Sequence, residues 1–183
     1  MDTGSPPLRL ARPDEAEAIE ALMRASIRDL FPHFYDEVQT RSSVVHVGEV
    51  DRMLIADGTY FVAEADGAIV ACGGWSRRDR LYTGSGDADG DARLLDPATE
   101  GARVRAMFVR ADWTRRGLGR AILEACEAAA RREGFTRLQL MATLPGEQLY
   151  RAFGFVATGE ATQVRLPDGI ELACVPMERP IDP

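Results

Sequence analysis

Two glycines and three arginines precede an apolar run in the stretch DWTRRGLGRAIL, residues 112–123. Gly117 and Gly119 lie where an extended segment, RVRAMFVRADW, gives way to a helical pattern. The free N–H groups of a helix's first turn bind phosphate, because they are unpaired and lie at the positive end of the dipole. Glycine allows the backbone to approach closely, and arginine adds charge-assisted hydrogen bonds. The stretch therefore predicts a phosphate site, with an ordinary strand–helix connection as the alternative.

Two well-known phosphate loops do not fit these residues. A P-loop requires G-x-x-x-x-G-K-[ST], and the chain has no Gly-Lys pair. The dinucleotide fingerprint G-x-G-x-x-G fails at its third glycine, where Ile122 stands. The following strand, GFTRLQLMAT, also lacks an acidic residue for a ribose. A P-loop kinase and a dinucleotide-dependent dehydrogenase are therefore not predicted.

The elements around the glycine–arginine stretch predict a mixed sheet covered by helices. The first is a helix that follows a short strand at 8–11 and carries an apolar face at helical spacing: Ile19, Leu22, Met23, Ile27 and Leu30. We expect Asp14 to cap it and Pro32 to end it. Shorter helices are expected in 33–43 and 47–57.

The second half of the chain supplies most of the expected strands. Asp66-Gly67, between two β-rich runs, predicts a tight hairpin. A strand, a helix to about residue 132 and a second strand in 103–141 predict a parallel pair with a right-handed crossover. A short helix ending at Gly154 and a final hairpin through LPDG complete an α/β (α+β mixed-sheet) fold of about seven strands. We expect residues 1–183 to form a single domain, with 77–101 as a long polar loop.

Composition excludes several classes of function. The 183 residues carry a net charge of −7, which disfavours nucleic-acid binding. Three widely spaced cysteines and two histidines form no zinc pattern, and the acidic residues of the long loop lack the EF-hand spacing, so no metal is predicted. Neither a signal peptide nor an apolar run of membrane-spanning length is evident. We therefore expect a cytoplasmic protein with reduced, buried cysteines and no membrane or nucleic-acid partner.

Three motifs, taken in order, resemble the GNAT superfamily of N-acetyltransferases. Residues Thr114 to Gly119 lie in register with the family signature [QR]-x-x-G-x-[GA], VRAMFV resembles its preceding strand, and LYRAFGF resembles its aromatic-bearing helix. The resemblance covers most of residues 8–178 and implies the family's central splayed strand pair. Three residues depart from the family pattern: Thr114 replaces Gln or Arg, Ala111 a frequent proline, and Thr143 a frequent asparagine.

The resemblance implies a site for acetyl-CoA. Its pyrophosphate would bind mainly backbone N–H groups of a segment comprising Arg115, Arg116, Gly117, Leu118, Gly119 and Arg120. Its pantetheine arm would pair with the main chain of Met107, Phe108 and Val109, where an N–H would stabilise the developing oxyanion, an effect worth about 3 kcal/mol. Tyr150 corresponds to the family tyrosine that protonates the departing thiolate, and a phenol of pKa about 10 is protonated at neutral pH.

The acetyl acceptor and the general base stay open at this stage. Glu64, Glu100, His33 and His46 are base candidates, and relay through water is the alternative. Residues 24–50 and 77–101 would shape the acceptor pocket, with Phe31, Phe34 and Tyr35 as an apolar wall. A small-molecule amine is expected, with a protein N-terminus or lysine as alternatives.

Other functions and assemblies are also compatible with these residues. A non-catalytic acyl-CoA sensor and a plain interaction domain are the alternative functions. The segment ELACVPM would serve either as a homodimer contact or as an internal strand.

Overall fold

The computed structural model describes residues 5–80 and 93–182. Five helices and eight strands occur there, together with short 3-10 turns. The helices are α1 (Ala16–Leu30), α2 (Glu37–His46), α3 (Arg52–Ala56), α4 (Leu118–Arg132) and α5 (Leu144–Phe153). The strands are β1 (Leu8–Leu10), β2 (Tyr60–Ala65), β3 (Ala68–Ser76), β4 (Ala102–Val109), β5 (Arg137–Thr143), β6 (Val156–Ala157), β7 (Thr162–Arg165) and β8 (Glu171–Pro180).

All eight strands join in one mixed sheet in the order β1-β2-β3-β4-β5-β8-β6, with β7 also paired to β8. Only β4 and β5 are parallel, as the strand–helix–strand pattern predicts. Their register begins with Ala102 opposite Leu138 and covers one further residue pair. Beyond Arg103 the two strands separate, and β5 continues against β8. The predicted α/β class and the splayed pair are confirmed, with eight strands instead of seven.

Helices cover both faces of the sheet. On one face α4 buries Leu118, Ile122, Leu123 and Cys126 against β3, β4 and β5. On the other face α1 buries Ile19, Leu22, Met23 and Ile27. The apolar spacing in the sequence therefore predicted the buried face of α1 correctly except at Leu30, which is half-buried, because burial follows the 3.6-residue period.

Several local expectations are confirmed, and one is wrong. Asp66 and Gly67 have φ of 52° and 75°, as a tight hairpin requires, and Gly154 ends α5 at φ 104°. Asp14 does not cap α1. It lies instead in a 3-10 turn, Pro13–Glu15, because the proline fixes a tighter first turn before the helix begins at Ala16.

The two ends of the predicted long loop and all three cysteines are among the described residues. Arg78 and Leu94 form an isolated antiparallel bridge, so the described ends of segment 77–101 are held together. Residues 81–92 lie outside the described part of the chain. The three cysteines, Cys72, Cys126 and Cys174, are buried and free, as expected.

The segment ELACVPM forms much of β8. This strand pairs with β5 on one side and with β6 and β7 on the other. The internal-strand alternative is therefore correct. Among residues 5–80 and 93–182, no helix is both long and apolar enough to cross a membrane.

Candidate functional site

The glycine–arginine stretch forms a tight turn that opens helix α4. Arg115 and Gly117 adopt left-handed conformations, with φ of 63° and 82°. Gly117 is the N-cap residue, and the first helical hydrogen bond runs from Ala121 N–H to its carbonyl at 2.9 Å. The N–H groups of Leu118, Gly119 and Arg120 therefore precede the helical hydrogen-bond ladder. Backbone donors and the helix dipole converge there, which is the arrangement that binds anions.

Glycine is favoured at positions 117 and 119 for different structural reasons. A Cβ added at Gly117 would meet no described protein atom within 4 Å, so its positive φ is what favours glycine. A Cβ at Gly119 would lie 2.7 Å from Leu149 Cδ2. Gly119 thus lets α5 pack closely on the first turn of α4. Sequence reasoning assigned both glycines to phosphate approach and missed this packing role.

Side chains around the turn are partly committed to other contacts. The Arg116 guanidinium stacks 4.5 Å from the Trp113 ring centroid. Arg120 pairs with Glu124 at 3.0 Å, which directs its charge along the helix. Thr114 Oγ1 donates to Ala111 O at 2.8 Å and so closes the preceding 3-10 turn. The long polar side chain that the family pattern has at this position is absent. Backbone N–H groups are consequently the main candidate donors for an anion at this turn.

A bulge deforms β4 at the point where it leaves β5. Ala106 has φ of 51°, which is rare for a residue with a Cβ, and the β3–β4 register shifts around Gly73. The buried Tyr60 hydroxyl donates to the Ala106 carbonyl at 2.7 Å. Because C=O and N–H point in opposite directions across a trans peptide, this bond aims the Met107 N–H away from Tyr60. A Cβ on Gly73 would lie 2.7 Å from Met107 Cγ, so glycine is required opposite the bulge.

A cavity of about 100 Å³ lies between the separated strands β4 and β5. It has two halves on opposite faces of the sheet. The α5 half is formed by side chains that pack with α4 and α5: Val104, Met107, Leu140 and Tyr150. The hairpin half is formed by side chains that pack with α2, β7 and β8: Val47, Phe108, Met141, Val164, Leu166, Leu172 and Cys174. Arg105, Ala106 and Thr143 complete the described lining.

Tyr150 reaches this cavity from α5. Its ring packs edge-on to Phe155, with centroids 5.8 Å apart, and lies over Gly146, where a Cβ would be 2.9 Å from Cε2. Burial raises the pKa of Tyr150 well above its ordinary value, so the phenol stays protonated at neutral pH. A protonated phenol that lines the same cavity as the bulged strand is a candidate proton donor.

Tyr35 fixes the start of the helix that carries Tyr150. Its hydroxyl accepts from Leu144 N–H at 2.9 Å and donates to Ala173 O at 2.8 Å. The predicted apolar wall is therefore wrong in detail. Phe31 and Tyr35 are buried behind the cavity, and Phe34 is 52% exposed, because the chain makes a 3-10 turn at Phe31–His33.

None of the four predicted base candidates is among the described residues lining the cavity. Glu64 pairs with Arg9 at 2.7 Å, and Glu100 pairs with Arg93 at 2.5 Å, which lowers the pKa of Glu100 to about 2. His46 lies 3.4 Å from Asp168. His33 is exposed on its 3-10 turn.

Arg105, missed in the sequence, is 3% exposed, lies beside the bulge and contacts Asp51 at 3.3 Å. Among the residues that the structure describes, no group of three or more His, Cys, Asp or Glu side chains could hold a metal ion.

Comparison with known proteins places these features in a family. The model of the acetyltransferase (GNAT) domain matches residues 56–157. A GCN5-related N-acetyltransferase structure from Rhodopseudomonas palustris is 22% identical over 98% of both chains, with a TM-score of 0.73. The PaiA N-acetyltransferase of Thermoplasma acidophilum, in complex with coenzyme A, is 15% identical over 96% of this chain and 99% of its own, with a TM-score of 0.68.

A third structure is YncA from Salmonella typhimurium, solved with acetyl-CoA. It is 18% identical over 98% of this chain and 96% of its own, with a TM-score of 0.62. No curated protein sequence matches the chain.

Proposed function

Since the chain belongs to the GNAT acetyltransferase family, we propose that it transfers an acetyl group from acetyl-CoA to a primary amine. The observation that carries the proposal is that the β4 bulge and Tyr150 line one cavity between β4 and β5, and that β4 leads through a 3-10 turn into the turn that opens α4. We further propose that the chain acts as one domain in the cytoplasm. We expect the acceptor to be a small molecule, with a protein N-terminus or a lysine side chain as the alternatives.

The residues at the turn fit the pyrophosphate of acetyl-CoA. The Leu118, Gly119 and Arg120 N–H groups supply donors without a side-chain requirement, and Gly117 keeps the approach to them free of a Cβ. Arg115 is exposed and adds positive charge beside these donors. Two structural neighbours, solved in complex with coenzyme A and with acetyl-CoA, support this assignment.

The separated part of β4 fits the pantetheine arm. Past Arg103, β4 has no register with β5, so the main chain from Met107 to Val109 has no strand partner on the β5 side and could pair with another extended group. The Val109 carbonyl already accepts a hydrogen bond from the Ser26 hydroxyl at 3.0 Å. Met107 N–H is held by the Tyr60–Ala106 hydrogen bond on the side away from Tyr60. We assign it to the thioester carbonyl oxygen, whose developing negative charge it would stabilise.

When bound, acetyl-CoA supplies the acetyl group and the thiolate leaving group. The chain would position the carbonyl. As the amine nitrogen bonds to the acetyl carbon and the C–S bond breaks, the nitrogen loses one proton to water and the Tyr150 hydroxyl gives its proton to the departing sulfur. Water restores the phenol proton. The raised pKa of Tyr150 suits this role, because the group must be protonated before each turnover.

A thermal-shift experiment tests the cofactor, and turnover tests the chemistry. Acetyl-CoA at about 100 times its Kd should stabilise the fold by about 2.7 kcal/mol, raising Tm by about 5–10 °C. Release of free CoA over a panel of primary amines should then identify turnover. No shift would reject the cofactor assignment, whereas a shift without turnover on any amine would favour a non-catalytic acyl-CoA sensor.

Tyr150→Phe should lower kcat at least about tenfold while leaving acetyl-CoA binding within twofold of wild type. The variant keeps the ring that packs on Phe155, so a folding defect is not expected. Unchanged kcat in this variant would remove Tyr150 from the reaction.

A further inference from the structure

The hairpin half of the cavity is walled by apolar side chains. Val164, Leu166 and Leu172 come from β7, its turn and β8, and each is at most 7% exposed. Phe108 and Met141 reach the same half from β4 and β5, and Val47 follows α2. The Cys174 thiol is buried there, and this burial raises its pKa to about 11, so it stays neutral.

Charge in the described lining is limited to one arginine. Arg105 contacts Asp51 at 3.3 Å and the Arg80 carbonyl at 3.4 Å, on the α1 and α3 side of β4. No carboxylate occurs among the described residues that line the cavity. An ammonium group entering this space would lose hydration without gaining a described counter-charge. Burial therefore favours the neutral form of an amine and lowers its pKa.

The overall charge of −7 points the other way, toward a cationic acceptor. Salt screens that long-range attraction, with a Debye length of about 8 Å at physiological ionic strength. Desolvation inside the cavity is not screened. The local environment therefore decides what binds, and net charge affects only the approach of the amine.

On the basis of the proposed acetyl transfer, we propose that the acceptor is a primary amine on an uncharged alkyl body and that it binds as the free base. The alkyl body lies in the hairpin half, against Val164, Leu166 and Leu172. The amine nitrogen points toward the separated strands. Desolvation then takes the place of a protein general base for the ammonium proton, since the amine has already lost that proton to water when it enters. The nitrogen gives a second proton to water as it bonds to the acetyl carbon.

Hexylamine and 1,5-diaminopentane provide a matched pair, because a methyl group in one replaces an ammonium in the other. With acetyl-CoA, we expect kcat/KM for hexylamine to exceed that for the diamine at least tenfold. Calorimetry on the complex with CoA should show the same order of affinity without turnover. In addition, kcat/KM for hexylamine should rise about tenfold per pH unit from pH 7 to 9, following the free-base fraction of an amine of pKa about 10.

A charge placed in the wall should change this preference. Val164→Glu, in the hairpin half, should lower kcat/KM for hexylamine and raise the relative rate of the diamine. Gln163→Glu adds the same charge at the exposed neighbouring position and should leave the preference unchanged. If Val164→Glu does not fold, the comparison of the two amines and the pH profile of the unmodified protein still test the proposed acceptor.

Two results overturn the inference, and they differ in what else they reject. Equal or faster acetylation of the diamine would reject the alkyl acceptor while leaving acetyl transfer intact. Binding of acetyl-CoA without acetylation of any amine would reject the proposed function together with the inference. Preference for hexylamine in both turnover and binding supports it.

Discussion

Substituting Gly117 by alanine separates the conformational role of this glycine from its place in the anion site. At φ 82° an L-residue is strained by about 1–2 kcal/mol, whereas the methyl group has no described neighbour within 4 Å to clash with. Alanine also reduces the entropy of the unfolded chain, which offsets about 0.4–1 kcal/mol. The net loss of stability is about 1 kcal/mol, equivalent to a fall in Tm of about 2–4 °C for a chain of this size.

Cofactor binding should fall by much more than stability. If the turn keeps its conformation, the new methyl group obstructs approach to the first N–H groups of α4. If the turn relaxes, those groups rotate away from the phosphate. Either way, losing one hydrogen bond to a charged group costs about 1.5–3 kcal/mol, so the Kd for acetyl-CoA should rise about tenfold to hundredfold.

Gly67→Ala is the matched control, because Gly67 has φ of 75°, no described neighbour within 4 Å of an added Cβ, and a place on the β2–β3 hairpin. Thermal unfolding and calorimetric titration with acetyl-CoA should be measured on both variants. The control should lose similar stability and keep the wild-type Kd. A Gly117→Ala protein that is destabilised like the control and still binds acetyl-CoA within twofold of wild type would refute this assignment of the turn.

Two further substitutions probe the bulge and the N-terminal ion pair. Tyr60→Phe removes the hydrogen-bond donor to Ala106 O, so thermal unfolding should show a loss of stability of about 1 kcal/mol. Steady-state kinetics should show a reduced kcat with little change in KM. An unchanged kcat would show that the bulge has no role in catalysis. Glu15→Gln should cost about 2–3 kcal/mol at pH 7, because the hydrogen bond from Arg9 lowers the pKa of the buried Glu15 to about 2. This stabilisation is complete above the unfolded pKa of about 4.5 and is lost as pH falls toward 2. Denaturant unfolding curves of the wild-type and Glu15→Gln proteins should therefore converge on acidification. A difference in unfolding free energy that stays constant down to pH 3 would contradict this role of Glu15.

Much of the secondary structure could be read from local patterns. The hairpin at Asp66-Gly67, the end of α5 at Gly154 and the apolar face of α1 each depend on residues close together in the chain. Glycine at positive φ and apolar spacing of 3.6 residues act locally, so the elements they specify can be predicted without knowledge of the tertiary structure. Asp14 failed as a cap because the adjacent Pro13 imposed a competing local turn.

Positions that depend on distant residues were not predictable in this way. Tyr60 is separated from Ala106 by 46 residues, and nothing in VRAMFV marks the bulge that their hydrogen bond holds. Tyr35 likewise contacts Leu144 across 109 residues. The sequence suggested that Tyr35 would face an acceptor, whereas the structure uses its hydroxyl to fix the start of α5.

By itself, the sequence determined the fold class, the parallel pair and the turn at Gly117, since these follow from periodicity, element order and backbone preference. Only the tertiary structure decided that Gly119 serves helix packing, that β4 is bulged, that the hairpin half of the cavity is apolar, and that the described cavity lining has no carboxylate. Those properties arise where strands and helices far apart in the chain meet. Burial and charge at such a point are set by all the contributing elements together.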